Sequence, residues 1–178
     1  KLNGSGVVAC DINNDGYQDL YIGARGFNGD GLDFRSQINN KNTEFIGIED
    51  RLYLNMKNGQ FKDITRKAFN ENLNYRSASS IACADVNNDG YLDLFIADLA
   101  GEQHAVFQNR GDGTFIKDKQ ALSAINGLTG FFAFQADFSD LDNDGYLDLL
   151  VAGSPTGTDK YQSGLILLHN DGHGKYTD

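Results

Sequence analysis

Three stretches of this chain space acidic residues so that their oxygens can close around one cation. The first holds Asp11, Asn13, Asp15, Gly16, Tyr17 and Asp19. The second holds Asp85, Asn87, Asp89, Gly90, Tyr91 and Asp93, and the third Asp140, Asp142, Asp144, Gly145, Tyr146 and Asp148. Each reads D-x-[DN]-x-D-G-x-x-D. Positions 1, 3 and 5 turn three side-chain oxygens inward, and the glycine at position 6 permits a sharp bend. The carbonyl of Tyr17, Tyr91 or Tyr146 at position 7 points at the same centre, and the Asp at position 9 closes the cage. Calcium takes about 6–8 oxygen ligands at roughly 2.3–2.6 Å, so Ca2+ is the expected cofactor, about three ions in all. No His or Cys lies in the loops, which disfavours zinc and copper, and magnesium demands stricter octahedral geometry. An EF-hand would continue to a Glu at position 12. One such loop alone could be a metal-free acidic turn; three copies in register argue for a metal.

The loops also explain the charge. The formal net charge is −10, and ten of the 25 Asp and Glu residues fall in these three nine-residue stretches. Such clusters repel themselves unless a cation sits among them. The acidity argues against a nucleic-acid partner, which would want a basic stripe. No apolar run is long enough to span a bilayer, so no transmembrane segment is expected in this chain. No signal peptide is visible, and because the chain opens at Lys1 rather than Met, an earlier leader stays open.

Each loop is followed by an Asn-x-x-[turn]-Gly-x-aromatic element: Asn55 to Phe61, Asn109 to Phe115, Asn170 to Tyr176. Loop to Asn spans 44, 24 and 30 residues, and Asn to the next loop 30 and 31, so one connection varies and the rest is nearly constant. Strands read around these elements. The first strand of each unit covers Val7 to Cys10, Ser79 to Ala84 and Phe131 to Ala136. The second covers Leu20 to Gly23, Leu94 to Ala97 and Leu149 to Ala152. The third covers Arg51 to Asn55, His104 to Asn109 and Leu165 to Asn170, and the fourth Gln60 to Thr65, Thr114 to Asp118 and Lys175 to Thr177. No amphipathic helix is read; of the polar links 66–77 and 119–130, the second has room for a short helical turn. The expected fold is all-β, a β-propeller fragment of about three four-stranded antiparallel blades, with a calcium loop between the first two strands of each. Small residues suit the crowded innermost strand, although Phe131, Phe132 and Phe134 break that pattern. The blades divide as 1–65 with a long insertion at 24–50, 66–118 and 119–178, together one partial propeller domain. Propellers close with about 4–8 blades, so further blades from the same or another chain are expected as partners.

The loops and the Asn-x-x-[Asn/Asp]-Gly-x-Phe turns resemble FG-GAP/VCBS repeats, the calcium-bearing blades of integrin α-subunit propellers and of many bacterial surface proteins. The run Arg51-Leu-Tyr-Leu-Asn55 to Phe61-Lys-Asp-Ile-Thr65 is most similar to the cartilage acidic protein and ASPIC/UnbV subgroup. The resemblance covers almost the whole chain. It implies structural calcium, an interaction or adhesion role, and an extracellular, cell-surface or periplasmic setting. The fold also serves enzymes, so a calcium-dependent polysaccharide lyase or hydrolase and a carbohydrate-binding lectin are the alternatives.

Other features carry less. Arg110-Gly111-Asp112 spells a tripeptide that integrins bind, but hairpin geometry already explains its Gly and Asp. Residues 24–50 form a connection far longer than usual, with Arg25, Phe27, Asp30, Asp33, Phe34 and Arg35, and Asn28 to Asp33 is a weak fourth cation candidate. His104, His169 and His173 read as lying on or beside the third-to-fourth strand hairpin with no nucleophile spacing, so no catalytic residue is assigned and a non-enzyme is expected. Cys10 and Cys83 stand one and two residues before their loops, on opposite faces by strand alternation, and read as two buried free thiols rather than a disulfide. Up-and-down topology puts the loops on one rim and residues 24–50, 66–77, 119–130 and 154–163 on the other, where a protein or glycan partner is expected.

Overall fold

In the computed structural model, the described residues are 4–24, 26–27, 45–46, 49–69, 78–98, 104–118, 121, 131–155, 164–173 and 175–177. They form three four-stranded antiparallel sheets. The first is β1 (Gly4–Cys10), β2 (Asp19–Ala24), β5 (Arg51–Asn55) and β6 (Phe61–Asp63). The second is β7 (Ala78–Ala84), β8 (Asp93–Asp98), β9 (Ala105–Asn109) and β10 (Phe115–Lys117). The third is β11 (Phe131–Ser139), β12 (Asp148–Pro155), β13 (Leu165–Asn170) and β14 (Tyr176–Thr177). In each, neighbours in sequence are neighbours in space, the up-and-down order of a propeller blade. Inside the long insertion, β3 (Gly26–Phe27) pairs with β4 (Phe45–Ile46). Arg25 and residues 28–35, with the fourth cation candidate, lie outside the described residues.

Period-2 alternation explains how the sheets stack. Along β8, Leu94 and Ile96 face one apolar cluster with Tyr21, Leu52, Ile81 and Phe107. Phe95 and Ala97 face another with Phe131, Val151, Ile166 and Leu168. The middle blade is therefore covered on both faces and its β8 is buried throughout, as expected of a strand inside a stack. Among the described residues, the flanking blades are covered on one face only. On β13, Ile166 and Leu168 are buried while Leu165 and Leu167 are 54% and 46% exposed; Val7 on β1 is 65% exposed. These outward apolar rows are what a further blade would cover.

The innermost strands meet closely. Ser79 and Ser80 reach across to the next blade: Ser79 Oγ donates to the Ala133 carbonyl at 2.5 Å, and Ser80 Oγ accepts from the Ala136 N–H at 3.0 Å. Each innermost strand also carries a register shift near its start, between Gly4 and Gly6, Ala78 and Ser80, and Ala133 and Gln135. The third shift lets Ala133 and Ala136, an odd number of residues apart, both be buried, while Phe134 is 57% exposed.

Two expectations need correction. Cys10 and Cys83 form a disulfide, with Cα atoms 6.7 Å apart. They do lie on opposite faces of their own sheets, but in a stack the facing sides of adjacent blades are opposite faces, so alternation brings them together. The link after β6 also holds a one-turn helix, α1 (Thr65–Ala68). Asp63 Oδ1 accepts from the Thr65 N–H and hydroxyl, and Thr65 Oγ1 accepts from the Leu52 N–H. The helix delivers Phe69 between two blades, edge-on to Phe107 and stacked on Phe115, with ring centroids 5.1 Å away in both cases. In 119–130, only Ala121 is described, and it is helical.

Cross-linking residues 73 apart restricts the unfolded chain by roughly 4 kcal/mol in the chain-entropy view. Replacing both cysteines by serine is expected to lower the melting temperature clearly. Thiol titration of the denatured, unreduced protein should find no free thiol; two would show that the bridge does not form.

Candidate metal centres

The three loops fold alike because the same positions make the same bonds. Asp11 at position 1 accepts from the Asp15 N–H at 2.9 Å and the Gly16 N–H at 2.7 Å. Asp85 does the same for Asp89 and Gly90, and Asp140 for Asp144 and Gly145. The position-5 carboxylate then accepts from the Tyr17, Tyr91 or Tyr146 N–H. The glycine at position 6 has φ of +86, +89 or +92°, a conformation that disfavours any other residue. Position 4 also bends left-handed: Asn14, Asn88 and Asn143 have φ of 54, 57 and 62°. Sequence reading gave that asparagine no role, although Asn is among the few side chains that tolerate this region.

Position 9 is the anchor. Asp19, Asp93 and Asp148 are no more than 2% exposed. One oxygen of each accepts from the position-2 N–H: Ile12 at 3.1 Å, Val86 at 3.2 Å, Leu141 at 3.1 Å. The other accepts from the Asn that ends the third strand: Asn55 at 2.7 Å, Asn109 at 2.8 Å, Asn170 at 3.0 Å. The aspartate thus ties each loop to the hairpin beside it. Burial pushes the Asp93 carboxyl up to about 7; the two N–H bonds oppose this, while Asp89 and Asp85 add to it. Burial likewise raises Asp19, again against two N–H bonds.

The asparagine closing the third strand was seen only as part of a turn. Its side chain proves to clamp blades together. Asn109 Nδ2 donates to the Ile12 carbonyl of the preceding loop at 2.7 Å and to Leu92 at 3.1 Å. Asn170 Nδ2 donates to Val86 at 2.9 Å and Leu147 at 3.0 Å. Asn14 Nδ2 adds a direct bond to the Gly90 carbonyl, joining the first two loops. The position-7 tyrosines pack on the neighbouring hairpins: a Cβ at Gly111 would meet the Tyr91 ring at 2.5 Å, and one at Gly172 the Tyr146 ring at 2.4 Å. In the first blade Lys57 takes that place, with Nζ 5.1 Å from the Tyr17 ring centroid and 3.2 Å from Asp15. Arg110-Gly111-Asp112 lies in such a turn, and Asp112 accepts from the Thr114 N–H and hydroxyl.

At the opposite rim, a residue before each third strand closes the second-to-third connection. Asp50 accepts from the Ala24 N–H and the Tyr21 hydroxyl, His104 Nδ1 accepts from the Asp98 N–H, and the Gly164 carbonyl accepts from Gly153. His104 therefore sits away from the hairpin beside which sequence placed it, buried and with Nε2 3.2 Å from the Phe131 carbonyl. His169 does lie at the loop rim, beside the third loop.

The donor set fits a hard cation. Each loop supplies carboxylate oxygens, with an amide oxygen at position 3 in the first two, and every carboxylate oxygen bonded to one N–H keeps a lone pair. Loop positions 1, 3, 5 and 9 thus carry oxygen donors of the kind a hard cation takes. A repeated four-stranded blade with an acidic loop between its first two strands defines a β-propeller repeat protein. The FG-GAP-like repeat pattern matches residues 26–96 and 85–151, and the FG-GAP repeat pattern residues 3–32. The chain belongs to the FG-GAP repeat family. It is 29% identical to human integrin alpha-8 over 161 residues, covering 85% of this chain and 14% of that protein. Mouse integrin alpha-8 is 30% identical, with the same coverage. Integrin alpha-5 of Xenopus laevis is 29% identical over 177 residues, 93% of this chain and 16% of that one. The chain therefore spans about one seventh of these relatives. These matches carry the family and do not decide the subgroup.

Two outcomes are expected. Asn109→Ala removes three side-chain bonds, one across blades, and should cost about 2 kcal/mol in denaturant unfolding. Asn55→Ala should cost less, since Asn55 Nδ2 reaches only Gln18 of its own blade; equal costs would refute the clamp. In chelator, the raised Asp93 means the folded state binds the extra proton between about pH 4 and 7. Stability is then greatest at the acid end of that window and falls as pH rises through 7. A melting temperature that is flat or rising from pH 5 to 8 would contradict this.

Proposed function

We propose that this chain is a calcium-stabilised, non-enzymatic segment of a β-propeller acting in protein–protein interaction or adhesion at the cell surface or outside the cell. The observation that carries the calcium role is the buried position-9 aspartate. Burying a carboxylate is costly unless compensated. Two N–H groups leave Asp93 raised, with Asp85 and Asp89 beside it. A divalent ion held by positions 1, 3, 5, 7 and 9 would remove that deficit at Asp93 and at the likewise raised Asp19. The ligands are Asp11, Asn13, Asp15, Tyr17 and Asp19; Asp85, Asn87, Asp89, Tyr91 and Asp93; Asp140, Asp142, Asp144, Tyr146 and Asp148.

The setting and partners follow from other observations. The Cys10–Cys83 disulfide suits an oxidising compartment, and the similar proteins are integrin alpha chains. The exposed rows at Val7 and at Leu165 and Leu167 suit further blades on both sides, with units dividing near 1–65, 66–118 and 119–178. A protein partner would use the rim opposite the loops, where Ala24 and Asp50 mark the ends of the long connection. No helix among the described residues is long and apolar enough to cross a membrane.

Calcium titration by calorimetry, with thermal melting before and after chelation, tests this reading. About three sites are expected. At tenfold excess over Kd each would add roughly 1.4 kcal/mol by mass action, so chelation should lower the melting temperature by several degrees. No heat of binding and no shift would mean that the loops are metal-free turns.

A further inference from the structure

The third loop differs from the other two at a pair of positions that face each other. In the first and second loops position 3 is asparagine, and its amide donates to the position-5 carboxylate: Asn13 to Asp15 and Asn87 to Asp89, both at 3.0 Å. In the third loop position 3 is Asp142, which has no such donor to give Asp144. The residue before the clamp asparagine changes as well. It is Leu54 in the first blade and Gln108 in the second, where the amide turns away to Asp118 at 2.8 Å. In the third blade it is His169, and its ring lies over the loop. Nδ1 is 3.3 Å from Asp142 Oδ2 and 3.2 Å from Asp148 Oδ1, and Nε2 is 4.0 Å from Asp144 Oδ2.

We propose that His169, Asp142 and Asp144 make the third loop a mixed nitrogen–oxygen site for a divalent transition-metal ion of the zinc class, unlike its two all-oxygen sisters. This rests on the reading that the loops cup cations, and it adds a second metal chemistry at one of them. One ligand atom from each of the three lies within 4.8 Å of the others, the single such Asp/His cluster among the described residues. Bonds of about 2.0–2.1 Å at tetrahedral angles separate ligand atoms by roughly 3.3 Å, close to the Nδ1–Asp142 spacing. Imidazole suits zinc, copper, nickel and iron, whereas calcium takes oxygen ligands. The nitrogen therefore raises affinity for the transition metal without helping calcium. His169 is half-exposed, so the ring can adjust to an ion without unpacking the blade.

The competing explanation is that His169 only supplies the N–H donor that Asn13 and Asn87 supply elsewhere. Zn2+ calorimetry on the stripped chain, with Co2+ absorption as a second readout, separates the two. The variant is His169→Gln, because glutamine already occupies this position in the second blade. Wild type should bind Zn2+ at least tenfold more tightly than the variant, and its Co2+ spectrum should show a bound nitrogen ligand that the variant lacks. Calcium binding at the first two loops should be unchanged. Equal Zn2+ affinity in both proteins, or Zn2+ bound no more tightly than Ca2+ in wild type, would overturn the proposal and leave the calcium reading standing. Absence of both Ca2+ and Zn2+ binding would sink the two readings together.

Discussion

The arrangement depends on one buried carboxylate per blade. Asp19, Asp93 and Asp148 each sit between two backbone N–H groups, one in the loop and one at the end of the third strand. Charge-assisted bonds of this kind are stronger than neutral ones. They fix the loop against the neighbouring hairpin, which brings the tyrosine at position 7 onto the turn. They also hold the clamp asparagine at the level where its amide reaches the preceding loop. Removing the carboxylate would loosen the loop, the hairpin and the blade-to-blade contact at once.

Burial gives this arrangement an electrostatic cost, which raises Asp93 and Asp19. The same chain segment that buries the aspartate also brings two or three more acidic groups to the loop. The N–H contacts to Asp11, Asp85 and Asp140 help hold the turns. Holding the turn and settling its charge are separate problems. The first blade eases the second with Lys57 on Asp15: burial works to raise Asp15, but bonds from Asn13, Lys57 and the Tyr17 N–H outweigh it and lower its pKa. Among the described residues, no such cation lies on the second blade's loop, and Asp93 there is the aspartate pushed up to about 7.

Much of this was legible in the sequence because it is local. The loop spacing, the Asn-Gly and Asp-Gly turns and period-2 strands located the three four-stranded sheets, whose strand limits moved by only a few residues, but not the β3–β4 pair. The rim shared by loops and hairpins followed from up-and-down order. What escaped reading lies between blades. Alternation in a single strand says which residues share a face, and it says nothing about which face of the next sheet they meet. That is why Cys10 and Cys83 looked incompatible and yet are bonded, and why Ser79 and Ser80 looked merely small. Phe69 was hidden for a related reason: it belongs to a polar link, and only a one-turn helix aims it inward.

The same limit explains His169. Loop by loop, the sequence contains no nitrogen ligand, and that observation correctly describes residues 140–148. The antiparallel pairing of β12 with β13 carries a residue 21 positions beyond Asp148 back to the side of the loop. A donor set on a blade is therefore drawn from the loop and from the strand that returns beside it. Reading the returning strand with each loop, as Leu54, Gln108 and His169 with positions 3 and 5, separates three loops that otherwise look interchangeable. The substitution of Asp for Asn at position 3 coincides with the one histidine at that returning position. The added carboxylate at position 3 and the imidazole at the loop's edge meet because the fold sets them 3.3 Å apart.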